Sequence, residues 1–128
     1  HEDGRYLYPG TGKITETGRG DAAGTKLNIP MPPRADDALF LKMWTHLETF
    51  IEKQQPEFII LQCGVDSLDG DPITDLAYSE RSHAHAARRL REIADRHCGG
   101  RVLALGGGGY NLDNIARGWT AVVAALAE

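Results

Sequence analysis

Three carboxylates, Asp66, Asp69 and Asp71, fall within the short stretch CGVDSLDGDP, and one phenol, Tyr110, directly follows four glycines in LALGGGGYNL. A carboxylate placed at the tip of a strand is held firmly by its backbone and is suited to binding a cation. The same carboxylate can instead cap its own loop by accepting backbone N–H groups. The spacing excludes an EF-hand, which needs acidic residues at alternate positions and a closing Glu. A phenol with a pKa of about 10 is a hydrogen-bond donor at neutral pH and can stabilise an oxyanion. It can equally pack on a sheet with its hydroxyl in water. The glycines beside it allow the backbone to approach a ligand or a facing strand closely. They do not make a dinucleotide fingerprint, because the sixth place counted from Gly106 is Asn111, and no Lys follows for a phosphate loop.

The other reactive side chains carry weaker signals. His83 and His85 are two residues apart on an expected helix, so they point to different faces and are read as solvated or capping groups. His46 and His97 lie on helices, far from the loops. Cys63 and Cys98 form no CxxC pair and are read as reduced thiols in a cytoplasmic protein. No Gly-x-Ser-x-Gly elbow is present, so nucleophilic catalysis has no support.

The elements that must position these groups follow from periodicity. Residues 1–24 form a Gly-rich loop region, a length of irregular chain that is often functional. KLNIPM, Lys26 to Met31, is a short strand candidate closed by prolines. From Ala35 to Gln54, Leu39, Phe40, Met43, Trp44, Leu47, Phe50 and Ile51 recur at helical steps. Asp36 and Asp37 at the start and Lys53 near the end suit the helix dipole. Phe58 to Gly64 is a continuous apolar run, expected to be a strand buried on both faces. Helices are expected over Glu80–His97 and Leu112–Ala127, with a second buried strand at Arg101–Leu105. Alternating strands and helices imply a mainly parallel sheet in an α/β fold, with ligands beyond the carboxyl ends of the strands. Both the carboxylate loop and the Gly-Tyr turn fall at that edge.

Composition narrows the partners. The 128 residues are 41% hydrophobic and 25% charged with a net charge of −4, which gives no basic surface for nucleic acid. No apolar run approaches the roughly 20 residues of a membrane helix.

Three stretches taken together, YLYPGTGKITETGRGDAAGTKLNIPM, LQCGVDSLDGDPI and LALGGGGYNLDNIARGWT, closely resemble the C-terminal half of the histone deacetylase superfamily. That superfamily includes acetoin-utilisation proteins and acetylpolyamine amidohydrolases. The resemblance covers nearly the whole chain. It implies a three-layer α/β/α fold of the arginase-deacetylase type, with residues 1–128 as the C-terminal portion of one domain. It implies hydrolysis of an acetyl amide, of acetyl-lysine or acetylpolyamine type, with one zinc ion held by two Asp and one His, and with potassium as a second ion in the full-length protein. Asp66 then matches one zinc ligand, and Tyr110 matches the donor to the carbonyl oxygen as it becomes an oxyanion. Gly108 and Gly109 match the backbone bordering the acyl-lysine channel, and Tyr8 and Ile73 match the channel wall. Asp69 and Asp71 match loop-shaping positions. The family's tandem His pair and its Asp-x-His ligands lie upstream of the matched region. The chain is therefore expected to be a C-terminal fragment with one zinc ligand of three, inactive as it stands and prone to self-association. A non-catalytic module that binds an anion or nucleotide, and a structural module that oligomerises, are the competing readings.

Overall fold

A computed structural model describes residues 1–128. The regular elements are α1 (Asp37–Gln54), β1 (Ile59–Gln62), α2 (Glu80–Cys98), β2 (Val102–Leu105) and α3 (Leu112–Ala127), preceded by a 3-10 turn at Gly20–Ala22. Each helix starts where a short polar side chain can take an orphan N–H group. Asp36 accepts from Leu39 N, Ser79 from Arg81 N, and Asn111 from the amides of Asp113 and Asn114. α2 ends at Gly99 in the left-handed conformation.

β1 and β2 pair in parallel, Ile59 opposite Val102 through Gln62 opposite Leu105. All three helices lie over one face of this pair. Ile59, Leu61 and Val102 pack beneath Trp44 of α1 and Leu90, Ile93 and Ala94 of α2. Leu61 and Cys63 pack beneath Ala87 of α2 and Val122 and Ala125 of α3. A third cluster, around Val65, Leu68, Leu76 and Tyr78, sits under the carboxylate loop. Polar ties fix the helices to one another. Asp37 at the start of α1 accepts from Ser79 N at 2.8 Å and from Ser82 Oγ at 2.6 Å, both at the start of α2. Glu48 of α1 pairs with Arg89 of α2, and that guanidinium holds the Glu48 carboxyl below its ordinary range. No helix is long and apolar enough to cross a membrane.

Two expectations are corrected. Lys26–Met31 is not a strand: its only pairing is an isolated bridge between Met31 and Glu2. Met31 N reaches His1 O and Asp3 N reaches Met31 O, and the ladder then stops. Pro30 and Pro32 flank Met31 without N–H groups to extend it. Nor are the two strands buried on both faces. Ile60 is 64% exposed, and Leu103 and Leu105 are close to half exposed, all on the side away from the helices. Two of the three expected layers are therefore present within these residues.

Candidate functional site

The two loops leave the adjacent carboxyl ends of β1 and β2, and strand-like pairing continues into them. Cys63 N donates to Leu105 O at 2.9 Å and Val65 N to Gly108 O at 2.6 Å. This brings Asp66 directly against Gly108. A Cβ on Gly108 would stand 2.3 Å from Asp66 Oδ2, so only glycine leaves room for the carboxylate there. Gly109 then turns with φ of 144°, a conformation side chains rarely adopt, and a Cβ there would meet Val65 Cγ2 at 2.7 Å. The next residue is Tyr110, whose side chain is 58% exposed.

Asp71 joins the loops. It is buried, and its Oδ1 accepts from Ile73 N at 2.8 Å. Its Oδ2 accepts from Tyr110 N at 2.9 Å. Thr74 Oγ1 donates to the Asp66 carbonyl. On the far side, Asn111 donates from Nδ2 to Gly70 O at 3.3 Å while its Oδ1 caps α3, and Asn114 Nδ2 donates to Asp69 O at 3.1 Å. Arg34 pairs with Asp69 at 2.8 Å and lies 3.6 Å from Asp75. The Asp69 carboxylate thus pairs outside the loop with Arg34, whereas Asp71 bonds both within the loop and across to Tyr110.

Asp66, Ile73, Gly108, Gly109 and Tyr110 are thus brought together. Tyr8 is not tied to them: it is 93% exposed on the N-terminal segment, and its side chain makes no hydrogen bond to either loop.

Two histidines differ from their sequence reading. His83 is half-buried, and its Nε2 lies 3.1 Å from Gly64 O and 3.2 Å from Ser67 Oγ. A carbonyl only accepts, so Nε2 donates to Gly64 O, and Nδ1 is buried without a partner. His83 therefore braces the residues on either side of Asp66 rather than facing solvent. His85 stacks edge-on against Trp44 with ring centres 5.6 Å apart, and burial lowers its pKa. Two residues apart on a helix, the rings do face different surroundings, His83 the carboxylate loop and His85 the indole of α1. The periodicity of α2 could not show this, because both partners lie on other elements.

Cys63 and Cys98 are both free thiols, as expected. Burial pushes the Cys63 thiol up, and its Sγ donates to Leu105 O, which disfavours the thiolate form. No three His, Cys, Asp or Glu side chains are placed to hold one metal ion. Asp66 offers one carboxylate, and the chain's own residues do not complete a zinc site.

A parallel α/β layer with an acid and a phenol at neighbouring strand tips defines a class whose chemistry lies beyond the carboxyl edge of the sheet. Comparison with known proteins makes that class specific. The family model for the histone deacetylase domain matches residues 1–126, and the chain belongs to that family. It is 36% identical to the acetoin utilization protein AcuC of Bacillus subtilis over 124 residues, 95% of this chain and 32% of that protein. It is 38% identical to a protein of Archaeoglobus fulgidus named "Probable deacetylase", over 84% of this chain and 30% of that one. The solved structure of a histone deacetylase homologue from Aquifex aeolicus superposes with a TM-score of 0.88 at 31% identity, covering 99% of this chain and 33% of that one. The fold is accordingly of the arginase-deacetylase type. The chain spans about one third of the length of the curated relatives it matches.

Proposed function

We propose that this chain forms the oxyanion-donor side of a zinc-dependent deacetylase acting on acetyl amides of the acetyl-lysine or acetylpolyamine type. The observation that carries the reading is the contact of the Asp66 carboxylate with Gly108, two residues before the exposed phenol of Tyr110. One side chain suits a metal, the other suits the oxygen of a carbonyl, and the paired strand tips hold both. Tyr110 donates its phenol proton in a hydrogen bond to the carbonyl oxygen as negative charge builds there. Gly108 leaves room for the Asp66 carboxylate, and the apolar side chain of Ile73, 57% exposed, offers a wall for an alkyl stem. Asp66 serves as one ligand, and the proposal assigns the remaining zinc ligands, the general base and the rest of the channel to residues outside these 128. The proposal sets the enzyme in the cytoplasm, where both free thiols stay reduced.

The experiment joins this chain to the upstream two thirds of the Bacillus subtilis relative and assays hydrolysis of an acetyl-lysine peptide and of an acetylpolyamine with zinc present. Turnover of at least one substrate, abolished by Asp66→Asn, is the expected result. The 128-residue chain alone should turn over neither. A folded, zinc-loaded joined protein that hydrolyses neither substrate would overturn the proposal, as would full activity in the Asp66→Asn variant.

A further inference from the structure

We infer that Asp71 is a positioning residue that sets where the Tyr110 phenol stands; the inference rests on the function proposed above. Loop shaping alone accounts for one half of its contacts. Oδ1 accepts from Ile73 N at 2.8 Å, two residues on, which is a turn closed on itself. Oδ2 does something a self-contained turn has no use for. It accepts from Tyr110 N at 2.9 Å, across 39 residues of chain and between two different strand tips.

The neighbouring Asn111 also ties this turn to Gly70 O at 3.3 Å, but through its side chain rather than through Tyr110 itself. The Tyr110 side chain is 58% exposed. The residue before it is Gly109, at a φ of 144° that glycine adopts readily and other residues rarely do. The main-chain N–H of Tyr110 is held by a carboxylate that is 8% exposed. Hydrogen bonds to carboxylates are among the shorter and stronger ones in proteins. Asp71 is itself anchored through Ile73 to the loop that carries Asp66. The carboxylate thus fixes the phenol relative to Asp66, and both loops must move together or not at all.

Replacing Asp71 by Asn keeps the shape but exchanges one accepting oxygen for an NH2 group, which faces an N–H donor whichever way the amide is turned. A displacement of the order of 1 Å at a reacting group typically costs about a hundredfold in rate. In the joined protein, Asp71→Asn should therefore lower kcat about ten- to a hundredfold. The same substitution placed in a Tyr110→Phe background should cost less than about twofold more, since the group it positions is already disabled. A residue that only stabilised the loop would cost as much in either background, and that result would overturn the inference. So would normal kcat in Asp71→Asn.

A measurement on the unaltered 128-residue chain guards against a variant that fails to fold. Amide exchange should show Tyr110 N–H protected at least about tenfold over its unstructured rate, as a bonded amide requires. An unprotected Tyr110 amide overturns the inference. The two proposals fail separately: full turnover in Tyr110→Phe removes the oxyanion role and the inference with it, whereas impaired Tyr110→Phe beside a normal Asp71→Asn removes only the inference.

Discussion

Tyr110 and Gly108 show how much a single site can depend on what is absent from a side chain. Gly108 has no Cβ, and the space it leaves is filled by the Asp66 carboxylate. Tyr110 is more than half exposed, so its hydroxyl contributes little to packing. Loss of one oxyanion donor typically raises a barrier by about 2.7–4 kcal/mol. Tyr110→Phe in the joined protein should therefore slow turnover by about a hundredfold or more while the melting temperature stays unchanged. Steady-state kinetics and calorimetry on the same sample check both halves. Near-normal turnover would take the phenol out of the chemistry. His83 makes the complementary point. It touches no reacting atom in this account, yet it braces Gly64 and Ser67 on either side of Asp66.

At the scale of elements, α3 is held against the carboxylate loop through Gly118. A Cβ there would lie 2.7 Å from Val65 Cγ1 and 3.0 Å from Leu68 Cδ1, both fully buried side chains. Two effects compete in Gly118→Ala. Helix propensity favours Ala by about 1 kcal/mol. Overpacking a well-filled core costs about 1–3 kcal/mol, and here neither neighbour has space to retreat. The variant should be less stable by about 1 kcal/mol in a urea titration; a gain in stability would show that α3 can shift away from the loop. Helix boundaries were legible in the sequence because their determinants are local. Leu112–Ala127 is recovered to the residue, and the other two differ by one or two positions, at caps that Asp36 and Gly99 decide. Lys26–Met31 was misread because an apolar alternation says nothing about whether a partner strand can bond across flanking prolines. That the loop of Asp66 and the turn of Gly108 share one sheet edge is legible in the alternation of strands and helices; their contact is not. The Asp71–Tyr110 bond was not legible at all, since it joins residues 39 apart through main chain.

The whole molecule is a one-sided layer. Its helices cover one face of the β1–β2 pair, while Ile60, Leu103 and Leu105 remain exposed on the other. A continuous apolar run in a strand signals that both faces need cover. These 128 residues supply it on one side, and the matched relatives are about three times as long. An apolar face of this kind drives association. Sedimentation velocity on the 128-residue chain should show concentration-dependent self-association, weakened by the double substitution Ile60→Ser with Leu103→Ser. A monomeric parent chain would refute that expectation. In the joined protein the same serines should instead lower stability, because there the face is expected to be covered.

Trp119 reaches across the molecule in a way that has a practical consequence. Its indole N–H donates to the Cys63 carbonyl at 2.9 Å, and its ring edge lies 3.5 Å from where a Gly106 Cβ would be. It therefore touches the exit of both strands at once. The only other indole is Trp44, on α1. With Trp44 changed to Phe, the chain would carry a single tryptophan wedged at the root of both loops, and its emission, excited apart from the four tyrosines, would be an optical gauge of any opening between them that requires no label.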